Sequence, residues 1–226
     1  LTLKKNIETN VAHLFTIGEY YLKMSKFDLA LYAYYHYMKE NPKGSFAQAA
    51  QKRFMDIKAM GVKVPVEMIE PKTDQMVRTY EKEAMIFCEC QSGRELYIIQ
   101  KGHVKITKIV DNNEVLLAVL KEGDMFGEMA LLENNPRSAS AIVMEDGCQL
   151  LAVNRQNFTQ MVATQAQLVT RLTTTLADRI WMMYRQLANT LIPDNLEKMY
   201  DMLALQMEKA RVTPEKKKQY VFNFGP

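Results

Sequence analysis

Between Tyr80 and Asn154 the chain runs in short stretches of β-branched and aromatic residues, broken by turn signals about every eight to twelve residues. No other feature of the sequence constrains the fold as tightly. The rhythm predicts strands near 84–90, 95–100, 103–110, 114–120, 138–144 and 148–153. Turns are expected at Gln91-Ser92-Gly93, Lys101-Gly102, Asp111-Asn112-Asn113, Glu122-Gly123-Asp124 and Asp146-Gly147. Mixed alternation around Val104, Ile106, Thr107 and Ile109 is that of a half-buried sheet. Strands at this spacing close into a small antiparallel roll or barrel.

Helical patterns flank the strands. From Leu14 to about Met60, apolar and aromatic residues recur at three- and four-residue spacing, and Asn41-Pro42-Lys43-Gly44 breaks the run. A third helix is expected from about Ser45 to Met60. Leu14-x2-Ile17-Gly18-x2-Tyr21, then Ala30-x3-Tyr34, then Pro42 resembles one tetratricopeptide repeat. In that pattern Gly18 and Ala30 allow close helix approach and Tyr21 and Tyr34 fill the seam; Tyr37 departs from the small residue usual there. The same residues also fit an aromatic-rich hairpin docked on its neighbour, and both readings stay open. Either one suggests an interaction surface for a protein partner rather than catalysis.

Residues 61–77 (GVKVPVEMIEPKTDQMV) carry two prolines and no clear period, as a linker does. After Asn154, a good N-cap, the helical period returns over about 155–163 and again over 166–190. On the longer helix Val169, Leu172, Leu176, Ile180, Met183 and Leu187 form one stripe. Pro193 stops it, an amphipathic helix follows from Leu196 to about Ala210, and Tyr220-Val221-Phe222-Asn223-Phe224 reads as a strand. The fold class is therefore α+β: an N-terminal helical hairpin, an antiparallel jelly-roll-like β-roll and long C-terminal helices. The expected domains are a tetratricopeptide-like segment at 1–60, the linker at 61–77, the roll with its helices at 78–190, and at 191–226 a helix plus strand leading toward a truncated output domain.

A length of 226 residues argues for two ordinary domains, or one with a sizeable appendage. With 48% hydrophobic and 24% charged residues, disorder is excluded over most of the chain. The longest aliphatic run, Val115 to Leu120, is too short to cross a bilayer, and no export signal opens the chain. The first residue is Leu rather than Met, so the natural N-terminus is expected to lie upstream. A net charge of +3 is too weak to imply a nucleic-acid surface. Three cysteines are too few and too odd for a disulfide framework, which points to a reducing cytoplasm. Cys88 and Cys90 would point the same way on a strand. With His13, His36 and His103 offering no ligand spacing, the thiols read as structural.

Chemistry concentrates in Glu122-Gly123-Asp124-Met125-Phe126-Gly127-Glu128-Met129-Ala130-Leu131-Leu132, followed by Asn134-Asn135-Pro136-Arg137-Ser138-Ala139. Gly123 and Gly127 permit a tight backbone and close approach of a ligand. The residues after Gly127 can form one helical turn whose free N–H groups face an anion. Glu128 sets a carboxylate acceptor beside those donors, and Arg137 supplies a planar fork suited to a phosphate. Taken alone, such a pair reads as a surface salt bridge worth about 0–1 kcal/mol.

The order and spacing of the block, FGEMALL then PRSA, resemble the phosphate-binding cassette of the cyclic-nucleotide-binding domain. That domain occurs in catabolite-activator (CRP/FNR-like) bacterial regulators and in kinase regulatory subunits, and the resemblance runs from about Tyr80 to Tyr184. It implies a cyclic nucleotide ligand, cAMP or cGMP, with no cofactor and no metal. On this resemblance Arg137 holds the exocyclic phosphate oxygens and Glu128 accepts the ribose 2′-hydroxyl. Gly127, Met129 and Ala130 contribute backbone, and Ser138 a hydroxyl or N–H to phosphate or base. The family's first strand pair usually turns on Glu-Gly, whereas Glu89-Cys90-Gln91-Ser92-Gly93 stands here. Counting from Phe158, Met183 and Tyr184 fall where activator-type members read adenine with two small polar residues. Trp181, Met183 and Tyr184 are the candidate base contacts, by stacking or through the Tyr184 hydroxyl, with plain core as the alternative. The base stays open.

There is no Gly-x-Ser-x-Gly, no P-loop and no His-Glu-x-x-His, so the reading is a sensor and not an enzyme. In the resembling family the nucleotide draws in the helices that follow; here the 166–190 helix is the expected two-state element, paired across a homodimer. Activator-type relatives continue into a DNA-reading helix-turn-helix. Only two residues follow Phe224, so this chain alone is not expected to bind DNA specifically. Either it is a fragment of a transcription regulator, or its output passes through the N-terminal helices. A roll that has lost its ligand, leaving those helices as a scaffold, is the alternative.

Overall fold

The computed structural model describes residues 2–62, 64, 76–133, 135–191 and 194–209. Three helices open it: α1 (Thr2–Lys23), α2 (Phe27–Glu40) and α3 (Ala47–Ala59). The first begins at Thr2 rather than near Leu14. The helical period extends upstream of Leu14 through Leu3, Ile7 and Val11, at spacings of 4, 4 and 3, and neither Gly nor Pro interrupts it before Gly18. α1 and α2 pair over Leu14, Tyr21, Ala30 and Tyr34, all fully buried. A Cβ on Gly18 would lie 2.6 Å from the Tyr34 ring, so glycine is what lets the two helices meet. Tyr37 is also fully buried; its ring meets Phe15 and Phe46 edge-on and its hydroxyl accepts the Phe46 N–H, pinning the turn into α3. The open side of the hairpin is closed by the roll. Leu14, Ile17 and Tyr21 share one cluster with Met85, Cys88 and Ile142, and Lys26 pairs with Glu114 at 2.8 Å. This is the hairpin docked on its neighbour; a stack of repeats would place another helix pair there.

His36 lies buried in this interface between the Tyr32 and Tyr35 rings, at centroid distances of 4.4 and 5.2 Å. Burial, reinforced by the charge of Lys39, pushes its pKa down to about 4. The unfolded chain takes up a proton near pH 6.5 that the folded chain refuses, so stability is intact above that pH and lost as pH falls toward 4. Between pH 7 and 4.5 the loss expected from this group is about 2–3 kcal/mol. Urea denaturation at the two pH values checks it: His36→Gln should remove that share of the acid sensitivity, and an unaltered pH dependence would assign it elsewhere.

Among the described residues eight strands follow, in two antiparallel sheets. β1 (Val77–Tyr80), β8 (Cys148–Asn154), β3 (Glu95–Lys101) and β6 (Met125–Phe126) form one; β2 (Met85–Phe87), β7 (Ser140–Val143), β4 (Val104–Val110) and β5 (Asn113–Leu120) form the other. β4 and β5 join through Asp111-Asn112, both at positive φ (49° and 59°), the two-residue turn whose twist matches the strands. Between the sheets pack Tyr80, Phe87, Tyr97, Ile99, Phe126 and Leu150. Two expectations need correction here. Val77, assigned to the linker, starts β1 and pairs with Leu151. Cys88 and Cys90, expected on one strand face, follow the end of β2 in a turn where Cys90 takes φ +66°. Most of the expected linker, residues 65–75, and the YVFNF stretch lie outside the described residues.

Asn154 caps α5 (Arg155–Thr164), accepting the Asn157 N–H at 2.9 Å. α6 (Ala166–Thr190) is the long helix, and α7 (Asn195–Lys209) turns back to pack on α6 and β5. Arg185 fastens the two helices through Asp201 (2.8 Å) and Glu208 (2.6 Å). The α6 stripe divides: Leu172 packs against the roll beside Met125 and Leu131, whereas Ile180, Met183 and Leu187 are exposed. No helix among the described residues is long and apolar enough to cross a membrane.

Candidate functional site

β6 ends at Phe126, and Gly127, at φ +78°, turns the chain into the short helix α4 (Glu128–Glu133). The helical turn expected after Gly127 is therefore present. A Cβ at Gly127 would sit 2.6 Å from Arg137 Nη1 and 3.3 Å from the Phe87 ring, so the missing side chain is what admits the guanidinium. Arg137 arrives from the following loop, which is pinned by two main-chain bonds. Its N–H donates to the Gln91 carbonyl and its carbonyl accepts from Cys90 N, each at 2.8 Å.

The Arg137 side chain is only 5% exposed. Nη1 donates to the Gly127 carbonyl and Nη2 to the Glu95 carbonyl, both at 2.8 Å. The guanidinium carbon stands 4.0 Å above the Phe87 ring centroid and 5.9 Å from that of Tyr97, a cation held against π-faces. Burial draws its pKa below the usual arginine range, opposed by Tyr97 and other neighbours. Nε is buried with no partner. A planar fork with a free donor, held in an apolar setting, is equipped to take an anion.

Glu128 is 2% exposed. One carboxylate oxygen is paired with Arg179 Nη1 from α6, while Oε2 is buried without a partner. Arg179 also donates through Nη2 to the Met125 carbonyl at 2.6 Å, so one side chain ties α6 to both ends of the glycine turn. Ala130 is buried; Met129 and Ser138 are exposed and touch through a long Oγ–Sδ contact of 3.8 Å. Beside the loop a cleft of about 790 Å³ is lined by Arg137 and Ser138, with Lys108 and Glu89 of the roll and His13 of α1. Gly127, Glu128, Met129, Ala130, Arg137 and Ser138 thus form one neighbourhood.

The candidate base contacts do not join it. Trp181, Met183 and Tyr184 are 70, 67 and 65% exposed. They fall beyond the point where α6 leaves the roll, so solvent rather than the cassette faces them, and they are not core either. Arg179 reaches the cassette instead. It was missed although a signal existed: it lies seven and three residues after Leu172 and Leu176, a charge on the apolar, roll-facing side of the helix. Gly93, read as a plain turn residue, is the other omission. A Cβ there would stand 2.5 Å from Arg137 Nε and 2.9 Å from Ala130 Cβ.

Residues 77–165 match the family model described as the cyclic nucleotide-binding domain. The match spans 89 of the 226 residues, and over that stretch the chain is similar to this domain. Among curated proteins it is 37% identical over 78 residues to Rap guanine nucleotide exchange factor 3 of Homo sapiens, covering 34% of this chain and 8% of that protein. It is 34% identical over 104 residues to the Cyclic AMP receptor protein of Thermus thermophilus, covering 46% of this chain and 48% of that one. The chain spans less than half the length of each. In three dimensions it is similar to the c-di-GMP-responsive global regulator CLP of Xanthomonas campestris, with a TM-score of 0.51 at 20% identity. That likeness covers 62% of this chain and 68% of the other, and it concerns the fold. The family match begins at residue 77, leaving the N-terminal helices outside it.

Proposed function

We propose that this chain is a sensor of a cyclic mononucleotide, cAMP or cGMP, and that binding rather than catalysis is its activity. One observation carries the reading: two buried, oppositely charged side chains flank Gly127, and each keeps an unpartnered polar atom, Arg137 Nε and Glu128 Oε2. Buried polar atoms without partners are costly, and a ligand with an anion and a hydroxyl relieves both. Arg137 takes the cyclic phosphate and Glu128 the ribose 2′-hydroxyl. The backbone of Gly127, Met129 and Ala130 frames the sugar-phosphate, and Ser138 adds a hydroxyl at the rim.

Glu128 already holds Arg179, so a ribose hydroxyl at Oε2 acts on the anchor of α6 as well as on the ligand. The exposed Ile180, Met183, Trp181 and Leu187 suit a second copy of the chain across α6, the homodimer the stripe predicts. The sparse, odd set of cysteines supports placing the sensor in a reducing cytoplasm. DNA binding then needs a further C-terminal domain, and the N-terminal helices offer a surface to a protein partner.

Calorimetric titration of the full chain with cAMP, cGMP and cyclic di-GMP tests this. One mononucleotide should give saturable heat, with the melting point rising as the logarithm of its concentration, about 2.7 kcal/mol of stabilisation at a hundred times Kd. Sedimentation of the same sample should show a dimer. A second reading rests on the same side chains: Arg137 and Glu128 are each partly satisfied from within the chain. Flat titrations with all three ligands would make the roll a ligand-free scaffold.

A further inference from the structure

The turn after β2 is gripped from two sides. Gln91 Oε1 accepts from Cys88 N at 2.9 Å and lies 3.2 Å from the Tyr32 hydroxyl, which also bonds the Ile86 carbonyl at 3.1 Å. Its amide nitrogen stands 3.5 Å from His36 Nε2. Next to it, the N–H and hydroxyl of Ser92 both donate to the Glu40 carboxylate, at 2.9 and 2.8 Å. Tyr32, His36 and Glu40 recur every four residues and are one face of α2. On its other side the same turn holds the anion-binding arginine: Gln91 O and Cys90 N are its main-chain partners, Phe87 lies beneath its guanidinium and Gly93 against it.

We propose that Gln91 is a positioning residue that ties the N-terminal hairpin to Arg137, so that displacement of α2 retunes nucleotide affinity and nucleotide binding stiffens α2. The inference rests on the reading that Arg137 takes the phosphate, and it adds a second regulatory input to that site. Two observations make the tie stiff. The guanidinium has no slack, because even a methyl group at Gly93 would collide with it. Cys90 is held at φ +66°, a strained state for a side-chain-bearing residue that persists only while its surroundings enforce it. Of the links to α2, the exposed Ser92–Glu40 contact is weak in water. The half-buried Gln91 amide, in reach of both Tyr32 and Cys88, carries the coupling. Because coupling between two sites is reciprocal, a partner gripping the hairpin and a nucleotide in the roll each alter the other's affinity.

The test uses the full chain with Gln91→Leu, Tyr32→Phe and Gln91→Glu. In ligand-free hydrogen exchange the Arg137 amide, bonded to the Gln91 carbonyl, should exchange roughly tenfold faster in Gln91→Leu, and faster by a smaller factor in Tyr32→Phe. The Kd for cAMP or cGMP should rise roughly fivefold or more in Gln91→Leu. Gln91→Glu, which keeps the acceptor for Cys88 N and Tyr32, should restore both. If Gln91→Leu does not fold, Tyr32→Phe decides alone, since it leaves the turn's internal bond intact. Wild-type exchange at Arg137 and wild-type Kd in a variant whose melting point has dropped would overturn the proposal and leave ordinary packing. Faster Arg137 exchange in a protein that binds neither nucleotide would support the tie while sinking the ligand reading.

Discussion

Arg137→Lys is expected to weaken cyclic-nucleotide binding by tenfold or more in calorimetry, although the charge is retained. The arginine uses two nitrogens to hold itself against the Gly127 and Glu95 carbonyls and still has Nε to offer. An ammonium is a compact point charge with no fork, so it must abandon either the carbonyls or the phosphate. A charge-assisted hydrogen bond contributes about 1.5–3 kcal/mol, and tenfold in affinity corresponds to about 1.4 kcal/mol. The loss of one such bond therefore accounts for the effect. Unchanged affinity would mean that Arg137 is only an internal strut between β3 and the glycine turn.

The second large effect is expected at Arg179→Ala. Glu128 would then be a buried carboxylate with neither oxygen paired by a side chain. Removing one partner of a buried pair costs about 3–5 kcal/mol; because Arg179 is itself partly exposed, about 2–3 kcal/mol is the appropriate expectation. The damage should be local as well, since the same arginine holds α6 to Met125. Denaturation should report the stability loss, and hydrogen exchange should show 166–190 losing protection ahead of the strands. The double variant with Glu128→Gln should recover part of the loss, because a neutral amide tolerates burial better than a lone charge. A change below about 0.5 kcal/mol would remove Arg179 as the anchor of α6.

β2 to β5, β7 and β8, the Asn154 cap and the helices after it were legible because they obey local rules. Alternation, turn residues and caps all sit within a few residues of what they specify. β1 and β6 were not: β1 follows directly on the proline-bearing stretch without a break in pattern, β6 is only two residues long, and both are defined by their pairing with β8 and β3. Of the site, the glycine turn, Glu128 and Arg137 could be read because they lie in one contiguous motif. Gly93 and Arg179 are far from it in sequence, and their approach to Arg137 and Glu128 is a product of closure. Trp181 and Tyr184 stand apart from the cassette for a related reason: counting along a helix gives the residue number, but where the roll ends decides which residues it shelters.

The hairpin and the roll have a common interior, and this bears on how the molecule can be cut. Cleavage ahead of residue 77, the boundary at which the family match begins, would strip the cover from Met85, Cys88 and Ile142 and leave Tyr21 and Leu14 bare on the other fragment. Each half would carry a greasy scar prone to clumping, and the minimal roll would be a poor stand-in for the intact chain. The two parts should instead melt together, in one cooperative step.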